Sequence, residues 1–210
     1  CGGPRRAMFA ALQLLNVFLL APALTTAALL VLRRISYVAA FIGPGPVAAH
    51  PGGVEWHDVG RGIAVALYAM RPDRREALDS HIGMMLFKNG LPVAYGGGWP
   101  FAGSCRIGVN IFEPYRGGES ALLFAQVLHV YRHRFGITRF VVEPSQFGGT
   151  NLEGLRSGAF WFYYRLGFRP VDARIAARAS ALHARMEADS AYRPSIPALR
   201  RLTDTDLELR

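Results

Sequence analysis

The sequence predicts a mixed α/β fold, one central sheet with helices on both faces, preceded by a helical extension. Three observations predict it. Between Gly60 and Tyr95 the apolar residues fall in short runs separated by turn residues, the spacing of strand hairpins. From Cys105 to Arg165 a strand, a helix, a second strand and a second helix follow one another, the order of a crossover unit. A long uncharged run near the start, Ala7 to Leu32, belongs to neither pattern.

The 210 residues suffice for one domain with an appended segment, or for two small ones. With 51% apolar and 19% charged residues the chain is a folding sequence rather than a disordered one. Its formal charge of +9 is carried by arginine, Lys88 being the only lysine. An arginine bias of this kind follows from a GC-rich genome as well as from function, and reads first as a solvated basic surface. As a functional signal it points to an anionic small molecule over nucleic acid, because no basic run is interleaved with aromatics. Cys1 and Cys105 are too far apart in sequence and too few for a disulfide framework or a metal site, which implies a reduced, cytoplasmic setting. Beginning at Cys1, the chain reads as a processed or truncated product.

Taken in order, Ala7 to Leu32 lies between Arg5-Arg6 and Arg33-Arg34 and exceeds the ~20 apolar residues that span a bilayer. It also reads as two soluble helices broken at Pro22, the second capped by Thr25 or Thr26. The two readings give a membrane-attached and a cytoplasmic protein, and both stand at this point. Gly43-Pro44-Gly45-Pro46 and Pro51-Gly52-Gly53 mark a linker. Gly62 to Met70 is a buried strand, and Arg71 to Ser80 a short charged helix or turn. Ile82 to Phe87 and Leu91 to Tyr95 are strands joined by an Asn-Gly hairpin at Asn89-Gly90, the second ended in a bend at Gly96 to Pro100. Cys105 to Phe112 is the next strand. Glu119 to Phe135 is a helix with Ala121, Phe124, Ala125, Leu128 and Tyr131 or Arg132 on one face and Gly136 as its stop. Thr138 to Glu143 is a strand ended by Pro144, Phe147 to Thr150 a flexible loop, and Glu153 to Arg165 a helix stopped at Gly167. Asp172 to Asp189 is helical, and a short helix follows Pro197. The divisions are 1–53 for the extension and linker, 54–172 for the main domain, and 173–210 for a helical tail.

The chemistry concentrates where the strand Cys105 to Phe112 runs through Glu113-Pro114-Tyr115-Arg116-Gly117-Gly118 into a helix. Unpaired amides and the helix dipole favour an anion there, and glycines let it approach closely. With Tyr163-Tyr164-Arg165-Leu166-Gly167-Phe168 further on, this turn resembles the GCN5-related N-acetyltransferase (GNAT) superfamily over roughly 60–170. Family members read approximately V-x-P-E-Y-R-G-x-G-x-G at this strand end and A-x-x-x-Y-x-x-L-G-F on the last core helix. Ile111 to Gly117 and Ala159 to Phe168 fit those patterns in register. The resemblance implies a GNAT-like sheet and an acyl-CoA cosubstrate, acetyl-CoA or another, with no metal. It implies that Arg116, Gly117, Gly118 and Ser120 hold the pyrophosphate and that the Ile111 amides align the pantetheine. By the same resemblance Tyr163 protonates the departing thiolate.

The chain departs from the family at Glu119 and Ala121, which replace glycines, and at Arg156, which replaces an asparagine seven residues before the tyrosine. A carboxylate a few ångströms from a pyrophosphate costs about 3 kcal/mol or more at an effective dielectric near 20. Alternatively Glu119 stabilises its own helix N-terminus. For the general base, Glu143 at the end of the fifth expected strand and Glu113 at the end of the fourth both qualify. His129 and His133 share a helical spacing but lack a third ligand. Ser104-Cys105 lacks the order of a nucleophilic triad, and no phosphate loop of the Walker kind surrounds Lys88.

The expected function is therefore acyl-CoA-dependent N-acyltransfer to a small-molecule or peptide amine. The alternatives are a catalytically altered protein on the same scaffold that binds a partner, an acyl carrier or RNA, and a membrane-attached transferase of envelope metabolism.

Overall fold

The computed structural model describes residues 49–74 and 80–210. The apolar run 7–32, the Gly43 to Pro46 linker and most of the helix expected before Ser80 lie outside the described residues. Eight strands form one sheet in the order β1-β2-β3-β4-β5-β6-β8-β7. They are β1 (Ala49–Asp58), β2 (Ile63–Met70), β3 (Ile82–Lys88), β4 (Leu91–Phe101), β5 (Ser104–Ile111), β6 (Arg139–Val142), β7 (Arg169–Pro170) and β8 (Leu207–Leu209). Among the described residues five α-helices accompany them: α1 (Ser120–Phe135), α2 (Leu152–Ser157), α3 (Ala159–Arg165), α4 (Ala173–Ala188) and α5 (Ile196–Arg200). From β2 to β5 the pairing is antiparallel, β5 and β6 are parallel, and β8 is antiparallel to both β6 and β7. This is a mixed parallel and antiparallel sheet flanked by helices, as the fold class expected from the sequence requires.

Several expectations are corrected. Pro51-Gly52-Gly53 lies inside β1 rather than in a linker. Beyond it the strand alternates regularly, with Trp56 exposed and Glu55 and His57 turned in, so its inward face is polar and escapes an apolar pattern. β4 does not end at Tyr95; it continues through Gly96-Gly97-Gly98 to Phe101. Those glycines serve close approach, not a bend. A side chain at Gly96 would run into the Gly108 carbonyl, and one at Gly97 into the His81 imidazole. A side chain at Gly98 would lie 2.7 Å from Cys105 Sγ and 2.9 Å from the Tyr131 ring.

The helix expected over Glu153 to Arg165 is two, divided at Gly158, whose φ of +69° ends α2. Phe147, expected in a flexible loop, is fully buried and packs on Phe160 and Tyr163. The tail is not only helical, because its last residues supply β8 between β6 and β7. The hairpin at Asn89-Gly90 has positive φ at both residues, 50° and 79°, as an Asn-Gly turn requires.

The core lies between the sheet and the helices. α1 buries Leu123, Phe124, Val127, Leu128, Val130 and Tyr131, so its inner face is displaced by part of a turn from the expected one and leaves Ala121 exposed. Tyr131 reaches across to donate a 2.6 Å hydrogen bond to the Ile82 carbonyl. Among the described residues no helix is long and apolar enough to cross a membrane.

Candidate functional site

The parallel ladder between β5 and β6 covers only Ser104, Cys105 and Arg106, opposite Arg139, Phe140 and Val141. Beyond it β5 continues to Ile111 while β6 stops at Val142, and the two strands part. On its other side β5 stays paired with β4 through Ile111, and the Phe112 amide donates to Val93. Because an antiparallel ladder uses alternate residues on each side, the backbone groups of Val109 and Ile111 point into the gap. The Ile111 carbonyl is met there by Arg116 Nε at 2.9 Å.

At the end of β5 the chain makes a single 3-10 turn, Glu113 to Tyr115, and then enters α1. Gly117 and Ser120 cap each other. The Gly117 amide donates to Ser120 Oγ at 2.9 Å, and the Ser120 amide donates to the Gly117 carbonyl at 3.0 Å. The amides of Gly118, Glu119, Ala121 and Leu122 have no acceptor among the described residues. No atom lies within 4 Å of where side chains at Gly117 and Gly118 would stand. The helix start thus presents four unpaired donors to open space, at the positive end of a sixteen-residue dipole. Sequence reading selected Gly118, whose amide is free, and Gly117 and Ser120, whose amides are taken up by the Ser120 hydroxyl and the Gly117 carbonyl; it missed the amides of Glu119, Ala121 and Leu122. Only the helix's exact first residue, fixed by the Ser120 cap, could have shown which were free.

Glu119 is the N-cap residue, with backbone in the helical region and no capping bond from its side chain. Its carboxylate stands 3.6 Å from Lys88 Nζ, at the β3–β4 hairpin. Arg116 is held on the other flank by Glu153 at 3.0 Å.

Tyr163 lies on α3 with 3% of its surface exposed. Its ring is enclosed by Phe124, Phe147, Phe162 and Phe168, with centroids 5.1 to 6.3 Å away. Its hydroxyl makes no hydrogen bond among the described residues. Burial in this aromatic cage pushes its pKa well above that of a free phenol. Phe124 belongs to the second turn of α1, about 6 Å along the axis from Ser120, so the phenol stands beside the helix whose start carries the free amides.

Of the two candidate bases, Glu113 is exposed in the turn after β5. Glu143 follows β6 and forms an ion pair with Arg106, whose guanidinium also lies 4.0 Å from Asp206. Asn151, too far upstream for the family's asparagine, is a helix cap, accepting from the Glu153 and Gly154 amides. Cys105 is fully buried and its thiol is pushed up to about 12 by burial, which removes it as a nucleophile. The His129 and His133 rings are 4.7 Å apart, and among the described residues no group of three His, Cys, Asp or Glu could hold a metal ion.

The chain matches no family model, and no curated protein is similar to it. Among solved structures it is similar to the Campylobacter jejuni N-acetyltransferase PseH, with 14% identity and a TM-score of 0.36, over 44% of this chain and 60% of that one. It is similar to the PaiA N-acetyltransferase of Thermoplasma acidophilum in complex with coenzyme A, with 16% identity and a TM-score of 0.35, over 45% of this chain and 55% of that one. A third likeness is to RimL, the ribosomal L7/L12 alpha-N-protein acetyltransferase, with 12% identity and a TM-score of 0.40, over 57% and 83% of the two chains. The chain therefore spans less than two thirds of the first two structures.

Proposed function

We propose that this chain is an acyltransferase of the GNAT kind that moves an acyl group from an acyl-CoA thioester to an amine. The observation that carries the reading is the unpaired backbone that turns one corner of the fold into a polar track. The track runs from the gap-facing backbone of Val109 and the Ile111 amide, the Ile111 carbonyl being taken by Arg116, to the free amides of Gly118, Glu119, Ala121 and Leu122. A pantetheine arm, with amides of its own, is complementary to the first stretch, and a diphosphate to the second. Open space at Gly118 and the pairing of Glu119 with Lys88 leave room and charge for that diphosphate.

When bound, the thioester supplies an activated acyl carbonyl and a thiol leaving group. The residues do the rest. Amides of α1 hold the diphosphate, with Arg116 and the Gly117–Ser120 cap fixing the turn. The backbone at Ile111 orients the arm. The acceptor nitrogen forms a bond to the acyl carbon as the carbon–sulfur bond breaks. The amine's surplus proton passes through a water to Glu143 or Glu113, and Tyr163 Oη gives its proton to the departing sulfur. With its pKa raised, Tyr163 is fully protonated at neutral pH. The acceptor is a small-molecule or peptide amine in a cytoplasmic setting.

A second reading, a catalytically altered protein that holds a partner, draws on Arg116, whose guanidinium is committed to Ile111 and Glu153. Native mass spectrometry of the purified full chain separates the two. The acyltransfer reading expects a co-purified or added CoA species at one per chain. A chain that stays at its apo mass in excess acetyl-CoA supports the second.

A further inference from the structure

α3 has two working faces. Consecutive residues on a helix project about 100° apart, and Tyr163 and Tyr164 use that angle to face different neighbours. Tyr163 faces Phe124 and Phe147, whereas Tyr164 faces α4, with its ring 5.1 Å from that of His183. On the Tyr164 side, α3, β7 and α4 enclose an open cleft of about 610 Å3.

Three arginines line that cleft, Arg165, Arg169 and Arg193, and none forms an ion pair with a carboxylate among the described residues. The only acid in the lining, Glu187, lies 3.5 Å from His183 Nδ1. Two of the guanidiniums are held in place by neutral acceptors. Arg169 Nη1 donates to the Tyr164 and Phe168 carbonyls at 2.7 and 2.8 Å while its plane lies 4.0 Å over the Tyr164 ring. Arg193 Nη1 donates to the Ser190 and Tyr192 carbonyls, both at 2.7 Å. Their remaining N–H groups are left for another partner. Three guanidiniums against one carboxylate leave an excess of positive charge, and a multiply charged anion removes that cost while accepting several charge-assisted bonds. The cleft's volume is that of small-molecule sites rather than of a macromolecular surface.

We propose that this cleft is a second binding site, for a phosphorylated small molecule, on a different face of α3 from the acyl site. It does not depend on the acyltransfer reading. Trp161 gives a local probe, because its ring lies 5.5 Å from Tyr164 and 5.9 Å from His183, and its buried N–H has no acceptor among the described residues. The test uses the full chain with Trp56→Phe and Trp99→Phe, titrated with inorganic pyrophosphate and followed by Trp161 emission and calorimetry. The expected result is a saturable emission change that excess acetyl-CoA does not alter, which separates this cleft from the diphosphate-binding amides proposed on α1. Arg165→Gln alters a side chain with no partner of its own among the described residues. Combined with Arg193→Gln it is expected to weaken pyrophosphate at least about tenfold, with acetyl-CoA binding unchanged. An unaltered Trp161 emission, or equal affinity in parent and Arg165→Gln chains, overturns the proposal.

Discussion

Lys88, the only lysine of the chain, stands 3.6 Å from the carboxylate of Glu119, the one residue that departs most from the glycine pattern of the candidate anion-binding turn. The pair joins the β3–β4 hairpin to the start of α1 and places a compensating cation where the departure adds a negative charge. Both side chains are partly exposed, 24% and 64%, so the contact contributes well under ~1 kcal/mol to folding. Its consequence is for binding.

Lys88→Met leaves the Glu119 carboxylate unbalanced beside the free amides and is expected to weaken acetyl-CoA about three- to tenfold, with the thermal midpoint nearly unchanged. Glu119→Gln is expected to tighten acetyl-CoA, and the double variant to bind better than Lys88→Met alone. Calorimetric titration of the four chains gives the coupling as a double-mutant cycle. Additive effects would show that the two charges act separately.

Tyr163→Phe retains the aromatic cage and deletes a hydroxyl with no bond among the described residues, so the fold is expected to persist. Thiol release from acetyl-CoA, screened against a panel of amines, is expected to fall about a hundredfold or more in kcat with little change in KM for the thioester. A variant that keeps its kcat assigns Tyr163 to packing alone.

Three elements show how far the sequence speaks. The two signatures lie in α1's approach and in α3, where local chemistry and tertiary structure agree, and both were legible. β4 was misjudged because three successive glycines signal a turn locally, while here they admit the Gly108 carbonyl of β5, His81 just before β3 and Tyr131 of α1. β8 was invisible, since Leu207-Glu208-Leu209 is a strand only through its pairing with β6 and β7. Of the candidate site, the strand-to-helix turn was readable; which amides remain free depended on a reciprocal cap between Gly117 and Ser120 that no spacing encodes.

Gly96→Ala and Gly118→Ala make a paired test of those two roles. The first drives a methyl into the Gly108 carbonyl and is expected to destabilise the chain by roughly 1–3 kcal/mol. The second meets open space and is expected to change stability by less than about 0.5 kcal/mol. Urea midpoints at neutral pH measure both, and equal losses would contradict the close-packed account of β4.

Alkaline stability follows from the buried acids. Burial raises Cys105 and Tyr68 to about 12 from ordinary values of 9.0 and 10.0, and Tyr131 and Tyr163 are raised as well. The folded chain therefore keeps protons that the unfolded chain releases. Stability is expected to be level below pH 9 and to fall above it, by up to roughly 1.4 kcal/mol per pH unit for each group involved, until the folded groups themselves ionise. Cys105→Ala removes the part of the slope that begins near pH 9. Urea midpoints between pH 7 and 11 measure this, and a flat profile would contradict it.

The central claim is that the gap beside β5 and the free amides of α1 form one thioester site. Thermal unfolding of the full chain with and without acetyl-CoA tests it most directly. Ligand at a hundred times its Kd is predicted to add about 2.7 kcal/mol, and an Ala121→Pro variant, which occupies one of the free amide positions, to lose most of that gain. An unfolding midpoint that does not move in millimolar acetyl-CoA would contradict the account.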